Sequence, residues 1–454
     1  MKPASHEDDR AISRSDLESL FVLAEKPPSE WRIGGEAEKF GVVLETGKPI
    51  PYEGPVSIRR IFDALVESHG WRPEAETHDG PPIALTRGSA SITLEPGAQL
   101  ELSGAPHEDV HRVMEEMEAH LDELRDISSS LGIAWLGVGF QPIATQEDLP
   151  WVPKERYGVM RRYLPTRGAR ALDMMRRTAT VQANFDYSSE EDAMQKLSVL
   201  CRVSPIVHAM TANSPFIEGK VSSRKSERGD VWLHMDPSRS GLIRSMWKPR
   251  PRYRDYVEWA LDAGMFLFRR GDAFIFNTGQ TFRSFLESGF EGHRATFADW
   301  VLHVNTLFPE ARLKRTIEMR ACDSLPLGLL GSVPALLTGI LYDQESLDRA
   351  TELALPLDYD TVEAARPRMV AEGLAARIGE ASVISFAEKL IEIADAGLRR
   401  RARAGRGGAD ERVHLAPLAE LVAHGECPAD RLGAGLARGA SVDARELVGR
   451  TIIQ

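Results

Sequence analysis

Apolar positions recur along this chain at two periods. Between residues 107 and 131, Val110, Val113, Met117, Leu121 and Leu124 fall three or four residues apart, with Met114 widening the stripe, which predicts an amphipathic helix. Residues 56–68, 190–213, 253–262 and 347 to about 405 carry the same period, and 15–25 reads as a short helix ended by Pro27 and Pro28. The period drops to two at 84–102, which predicts a hairpin, and at 312–320, and the stretches 31–44, 133–139, 178–187 and 265–276 also read as strands. Strands mixed with helices, without a regular βαβ rhythm, predict an α+β fold with a mainly antiparallel sheet. No internal repeat is visible.

The uncharged run 325–342 resembles a membrane span, but Pro326, Pro334 and three glycines interrupt it, so it reads as a buried core helix. Residues 404–410 form a flexible break before a last helical hairpin at 413–448. The expected division is a flexible N-terminus (1–15), a catalytic unit (16–403) and a C-terminal helical extension packed on it (404–454).

Composition narrows the class. The apolar fraction of 43% and charged fraction of 27% are those of a globular chain. A net charge of −11 offers no general attraction for nucleic acid or anionic lipid, so neither is expected as a partner. The basic run Arg399, Arg400, Arg401, Arg403 and Arg406 reads as a solvated helix end more readily than as a nucleic-acid contact. The start of the chain is polar, with no apolar segment of secretory type. Three scattered cysteines, Cys201, Cys322 and Cys427, suit a reducing compartment, and the expected location is cytoplasmic.

Common catalytic motifs are missing or broken. The stretch from Gly41 to Pro49 imitates a phosphate-binding loop but spaces its glycines by five residues, and Pro49 replaces the hydroxyl residue that would hold magnesium. There is no H-E-x-x-H and no G-x-S-x-G. What stands out instead is acid on strands. Glu36 and Glu38 share one face, Glu101 shares a face with Gln99 and Ser103, and Glu95 precedes a Pro96-Gly97 kink. Thr316, Glu318 and Arg320 oppose Ile317 and Met319. Any one such strand fits an ordinary half-solvated sheet. Together, five carboxylates with few bases would repel one another unless hard cations neutralised them, and magnesium takes oxygen ligands of this kind.

These residues lie within longer runs that resemble glutamate–cysteine ligases of the plant and proteobacterial type, part of the carboxylate–amine ligase group. The runs are G-G-E-A-E-K-F-G at 34–41, L-E-P-G-A-Q-L-E-L-S-G-A-P at 94–106 and V-P-K-E-R-Y at 152–157. M-M-R-R-T-A-T-V-Q-A-N-F-D follows at 174–186, then A-N-S-P-F at 212–216, F-R-S-F at 282–285 and F-P-E-A-R-L-K-R-T-I-E-M-R at 308–320. The resemblance implies a curved, mainly antiparallel sheet with helices on its convex side and a core like that of glutamine synthetase. It implies ATP-dependent joining of the γ-carboxylate of L-glutamate to the amino group of L-cysteine through γ-glutamyl phosphate, the first step of glutathione biosynthesis. By position it implies Glu36, Glu38, Glu95, Glu101, Glu318 and Gln182 as magnesium ligands. Arg320 and Lys39 would touch the ATP phosphates, Arg239 would hold the α-carboxylate of glutamate, and Asn184 would lie beside the substrate. A monomer or weak homodimer is expected. Gly35, Ala37 and Ser240 stand where the family usually shows Thr, His and Thr, and the cysteine pairs of redox-controlled plant members are missing. The alternatives are a related ligase with another amine, or a non-catalytic ATP- or metal-binding relative.

Overall fold

While 265–276 folds into a separate two-stranded hairpin, Leu267–Arg270 with Ala273–Phe276, most of the strand-like stretches assemble into one antiparallel sheet. In the computed structural model, which describes residues 10–76, 80–271 and 273–453, nine strands join it. They are β1 (Ile33–Val43), β2 (Arg72–Ala75), β3 (Pro82–Arg87), β4 (Ala90–Leu94), β5 (Leu100–Ser103), β6 (Ile133–Leu136), β7 (Val181–Phe185), β8 (Ala311–Leu313) and β9 (Ile317–Met319). The order is β8-β9-β7-β1-β5-β4-β3-β2, and the end of β1 also pairs with β6. β1 organises the site, because its register sets Glu36 opposite Gln182 and Glu38 opposite Glu101. On the far side of β7, Glu318 lies opposite Asn184.

Two expected elements divide. Residues 312–320, expected as one strand, fold back as β8 and β9, with Lys314 N–H donating to the Thr316 carbonyl (2.9 Å) in the turn. The 84–102 stretch makes three strands rather than a simple hairpin, because the kink at Pro96-Gly97 ends β4 before β5 begins.

Helices cover the other face of the sheet. The ones that matter here are α1 (Ile58–His69), α2 (Val110–Leu131), α3 (Glu190–Met210), α4 (Glu227–Leu233), α5 (Ser332–Leu341), α6 (Tyr359–Glu372), α7 (Val383–Arg401) and α8 (Arg412–Ala423). Asp109 caps α2 by accepting from the Arg112 N–H, and Gly132 ends it in the left-handed conformation (φ 65°). The predicted stripe of α2 is buried and crosses β1 at Gly35. A Cβ there would lie 2.6 Å from both Met117 Cε and Val113 Cγ1. Glycine at 35 thus lets the helix reach the strand.

The uncharged run resolves as expected. α5 is buried at every position and packs against β7, α7 and α8. Among the described residues no helix is long and apolar enough to cross a membrane. Beyond residue 404 the chain forms α8 and two short helices, Pro428–Leu432 and Ala444–Thr451, rather than one hairpin. α8 lies against α5 and α7. Of the N-terminal stretch expected to be flexible, residues 1–9 lie outside the described residues.

Candidate active site

Strand alternation puts Glu36 and Glu38 on the sheet face away from α2, since Gly35 between them faces that helix. Glu101 joins them from β5 as the direct partner of Glu38, and Thr93 on β4 donates to its Oε2 (2.5 Å). Glu95 comes from the turn after β4, which is closed by its N–H donating to the Gln99 carbonyl (2.9 Å). The turn is built close against its surroundings. A Cβ at Gly97 would sit 2.5 Å from the Arg176 carbonyl oxygen, and Lys154 Nζ and Tyr157 Oη each donate to the Leu94 carbonyl at 2.7 Å. The V-P-K-E-R-Y run therefore anchors the strand that delivers Glu95.

This half of the face is strongly acidic. Burial, then Glu318 and Glu101, pushes Glu36 up to about 8. Burial with Glu95 and Glu101 raises Glu38 well above the usual carboxylate range, and burial with Glu95 raises Glu101. The other half is basic. Glu318, 1% exposed, accepts from Arg312 Nε (2.6 Å), Arg320 Nη1 (3.1 Å) and Lys314 Nζ (3.3 Å). Burial alone would raise it, but Arg312, Lys314 and Arg320 hold it well below its ordinary value. Between the halves, Gln182 Oε1 accepts from Arg320 Nη1 (2.8 Å), and Asn184 Nδ2 donates to Glu36 Oε1 (2.8 Å) while its Oδ1 accepts from Thr316 (3.2 Å). Eight of the ten expected site residues therefore share one face. The donors are all oxygens where a cation would sit, which suits magnesium. The carboxylates line the face rather than converge, and among the described residues no three His, Cys, Asp or Glu side chains form a closed metal cluster.

Two expectations are corrected. Lys39 lies on the opposite face of β1. Its Nζ donates to the Ala37 carbonyl (3.1 Å) and meets His120 Nε2 of α2 (3.3 Å), it is 1% exposed, and burial pushes it down to about 7. It cannot reach phosphates bound on the acidic face. Arg239 is fully buried in its own loop. Its Nε donates to Asp236 Oδ2 (3.0 Å), Nη1 to the Thr306 carbonyl (3.0 Å) and Nη2 to the Gly264 carbonyl, and its guanidinium lies 4.0 Å from the centre of the Phe266 ring. No part of that fork is free for a substrate carboxylate.

The structure offers a different arginine. Arg228 of α4 donates to the Ala321 carbonyl (2.9 Å) and the Arg320 carbonyl (2.7 Å), which ties it to the strand end that carries the site. It borders a narrow cleft with His208, Trp232, Glu310 and Arg366, with a free volume of about 20 Å³. A smaller recess lined by Trp232, Phe308, Glu310 and Arg320 adjoins it. Arg228 Nε, Trp232 Nε1 and Arg320 Nε are buried donors without partners, an arrangement that suits an acceptor-rich ligand. The R-G-D-V-W stretch at 228–232 carries no periodic signal that sets Arg228 apart from Arg239.

The profile of glutamate-cysteine ligase family 2 matches residues 32–447 of the chain. The chain belongs to this family. Its members join glutamate to cysteine, and this family 2 ligase is an enzyme of that kind. Over 424 residues it is 38% identical to glutamate–cysteine ligase A, chloroplastic, of Oryza sativa subsp. indica, covering 93% of this chain and 84% of the relative. It is 37% identical to the chloroplastic glutamate–cysteine ligase of Arabidopsis thaliana, covering 93% and 79%. Among solved structures its fold resembles the glutamate–cysteine ligase of Francisella tularensis in complex with AMP, with a TM-score of 0.53 at 13% identity, covering 93% of this chain and 87% of that one. Neither of the two alternatives is favoured by these relatives. They do overturn the cytoplasmic expectation, because the similar plant enzymes are chloroplastic. Sparse cysteines speak to redox conditions, and a reducing environment does not single out one compartment.

Proposed function

We propose that the acidic face and the adjoining cleft together carry out ATP-dependent γ-glutamylation of cysteine. One observation carries this reading: four half-buried, mutually repelling carboxylates, Glu36, Glu38, Glu95 and Glu101, stand beside a cluster of Arg312, Lys314 and Arg320 on the same sheet face. Glu36, Glu38, Glu95, Glu101, Glu318 and Gln182 would hold magnesium, which when bound supplies positive charge against the ATP phosphates. Arg320, fixed between Gln182 and Glu318, is placed to donate to the γ-phosphate as it leaves. Asn184 holds Glu36 in place through its side-chain amide. Arg228 replaces Arg239 as the group that receives a substrate carboxylate in the cleft. The γ-carboxylate of glutamate attacks the γ-phosphorus to give γ-glutamyl phosphate and ADP, and the amine of cysteine then displaces phosphate. The chain mainly orients the reactants and supplies fixed charge, so no side-chain nucleophile is required. We also propose 16–403 as the catalytic unit, with 404–454 as an extension packed on it.

The test is ADP release from purified protein with magnesium, ATP and glutamate, with and without cysteine. Cysteine-dependent release matched by γ-glutamylcysteine supports the reading. Glu36→Gln should lower turnover by at least about 100-fold, the scale of one lost electrostatic contact in a transition state. It should melt no lower than the native chain at pH 7, because Glu36, pushed up to about 8, is already mostly neutral there and glutamine keeps its shape. Native turnover in that variant would remove the carboxylate face from the mechanism.

A further inference from the structure

The γ-phosphoryl group of ATP spreads charge over its equatorial oxygens while it transfers, and a single arginine meets only part of that charge. We infer that Lys314 is a second catalytic residue of this step, its ammonium donating to the phosphoryl oxygens in transfer, an assignment that rests on the reading of the acidic face as the ATP site.

Lys314 stands in the turn between β8 and β9, and the turn fixes the base of its side chain. Its N–H donates to the Thr316 carbonyl (2.9 Å), its carbonyl accepts from Tyr187 Oη (3.2 Å), and the Leu313 N–H before it donates to Tyr256 Oη (3.2 Å). The tip is held far less. Nζ meets Glu318 Oε1 at 3.3 Å, longer than the roughly 2.7–2.9 Å of a strong charge-assisted hydrogen bond. Among the described residues, no second acceptor of its side chain lies on the acidic face, so N–H donors remain for a ligand. The side chain is 25% exposed, against 8% for Arg312 and 15% for Arg320.

The neighbouring cations are committed. Arg312 donates Nε to Glu318 Oε2 (2.6 Å) and Nη1 to the carbonyls of Leu307 (2.8 Å) and Asn305 (3.2 Å). Lys39 lies beneath the sheet, and Lys154 is buried with its Nζ on the Leu94 carbonyl. Arg320 and Lys314 meet the two different oxygens of one carboxylate, Oε2 and Oε1 of Glu318. An anion received by Arg320 is therefore within the swing of the flexible lysine stem. The Lys314 charge also acts on Glu36 across the face, which sets it at the border between the carboxylates and the fixed cations.

In the step itself, a γ-carboxylate oxygen of glutamate forms its bond to the γ-phosphorus as the bond to the bridging oxygen breaks, and ADP leaves with that electron pair. Lys314 keeps its protons throughout and supplies positive charge alone.

The experiment compares Lys314→Met with the native enzyme, using ATP and its γ-thio analogue. With ATP, kcat should fall about 100-fold, the scale of one donor lost from a transition state, while KM for ATP moves far less. The melting temperature should stay native, because the ammonium is partly exposed and weakly held. Sulfur is a poor hydrogen-bond acceptor, so the analogue should slow the native enzyme. It should slow the variant by a smaller factor, since the contact it weakens is already gone. A lysine that only steadied Glu318 would leave the two factors equal; that result, or native kcat with ATP, would overturn the assignment. If Lys314→Met does not fold, Lys314→Cys alkylated after folding decides. Bromoethylamine restores an ammonium there and should restore turnover, whereas iodoacetamide adds a neutral chain and should not. The native Cys201, Cys322 and Cys427 are buried and shielded from both reagents. Equal recovery with the two, or none with either, would overturn the assignment. Native turnover in Glu36→Gln would remove the reading of the face, and Lys314 with it; an inactive Glu36→Gln beside a fully active Lys314→Met would remove Lys314 alone.

Discussion

At the scale of single residues, burial decides what a charged side chain can do. Arg239 and Arg228 are both buried arginines eleven positions apart, yet their surroundings differ. Asp236 and two carbonyls satisfy Arg239, whereas Arg228 keeps a buried, unpartnered Nε at the edge of a narrow cleft. Arg239→Ala should therefore act on stability. It leaves the Asp236 carboxylate, which burial would raise and Arg239 holds low, with only the more distant Arg167 (3.7 Å) as a cation, a loss of up to about 3–5 kcal/mol for a broken buried pair. Urea denaturation measures this. A variant of native stability that had lost glutamate affinity would return Arg239 to the substrate site. Lys39 teaches the same lesson by a shift of one position. Glu38 beside it faces the site, but side chains alternate along a strand, so Lys39 points to His120 under the sheet.

At the scale of elements, the close seat of α2 on β1 governs the aim of the carboxylates. Met117 and Val113 fill the space that a side chain at Gly35 would occupy. Gly35→Val should push α2 away from the strand, costing about 1–3 kcal/mol by overpacking. Because Glu36 is the next residue, turnover should fall along with the melting temperature. A variant with a lower melting temperature and native turnover would show that the strand holds its line without the helix. The β8–β9 hairpin shows how an element can be misjudged while its face is judged correctly. Glu318 and Arg320 keep to one side whether the segment is one strand or the second arm of a hairpin, since period two survives the turn.

At the scale of the whole molecule, stability in acid should depend on a histidine remote from the chemistry. His303 is buried with Nε2 against the Ala260 carbonyl (2.8 Å). Burial, helped by the Arg239 charge, pushes it down from 6.5 to about 3. An unfolded chain takes up this proton below 6.5, while the folded one resists until about 3. Stability from this group is therefore complete above 6.5 and is lost as pH falls towards 3, at roughly 1.4 kcal/mol for each pH unit in that window. His303→Gln should flatten the acid side of the urea-midpoint profile between pH 6 and 4 by about that slope. An unchanged slope would place the acid sensitivity elsewhere.

The strand periods, the α2 stripe, the buried reading of 325–342 and the face carrying Glu36, Glu38, Glu101 and Glu318 were all legible in the sequence. Each follows from local geometry, because alternation and helical spacing are properties of consecutive residues. The long runs also carried the family, since they hold many residues in a specific order. Tertiary structure alone decided which strands neighbour each other, that Arg312 and Lys314 crowd Glu318, that Arg239 is consumed by its own loop, and that His208, Arg228, Glu310 and Arg366 meet around one cleft. Those four residues come from α3, α4, the approach to β8 and α6, spread over about 160 positions of chain. No spacing rule links groups so far apart, because their meeting depends on how whole elements pack.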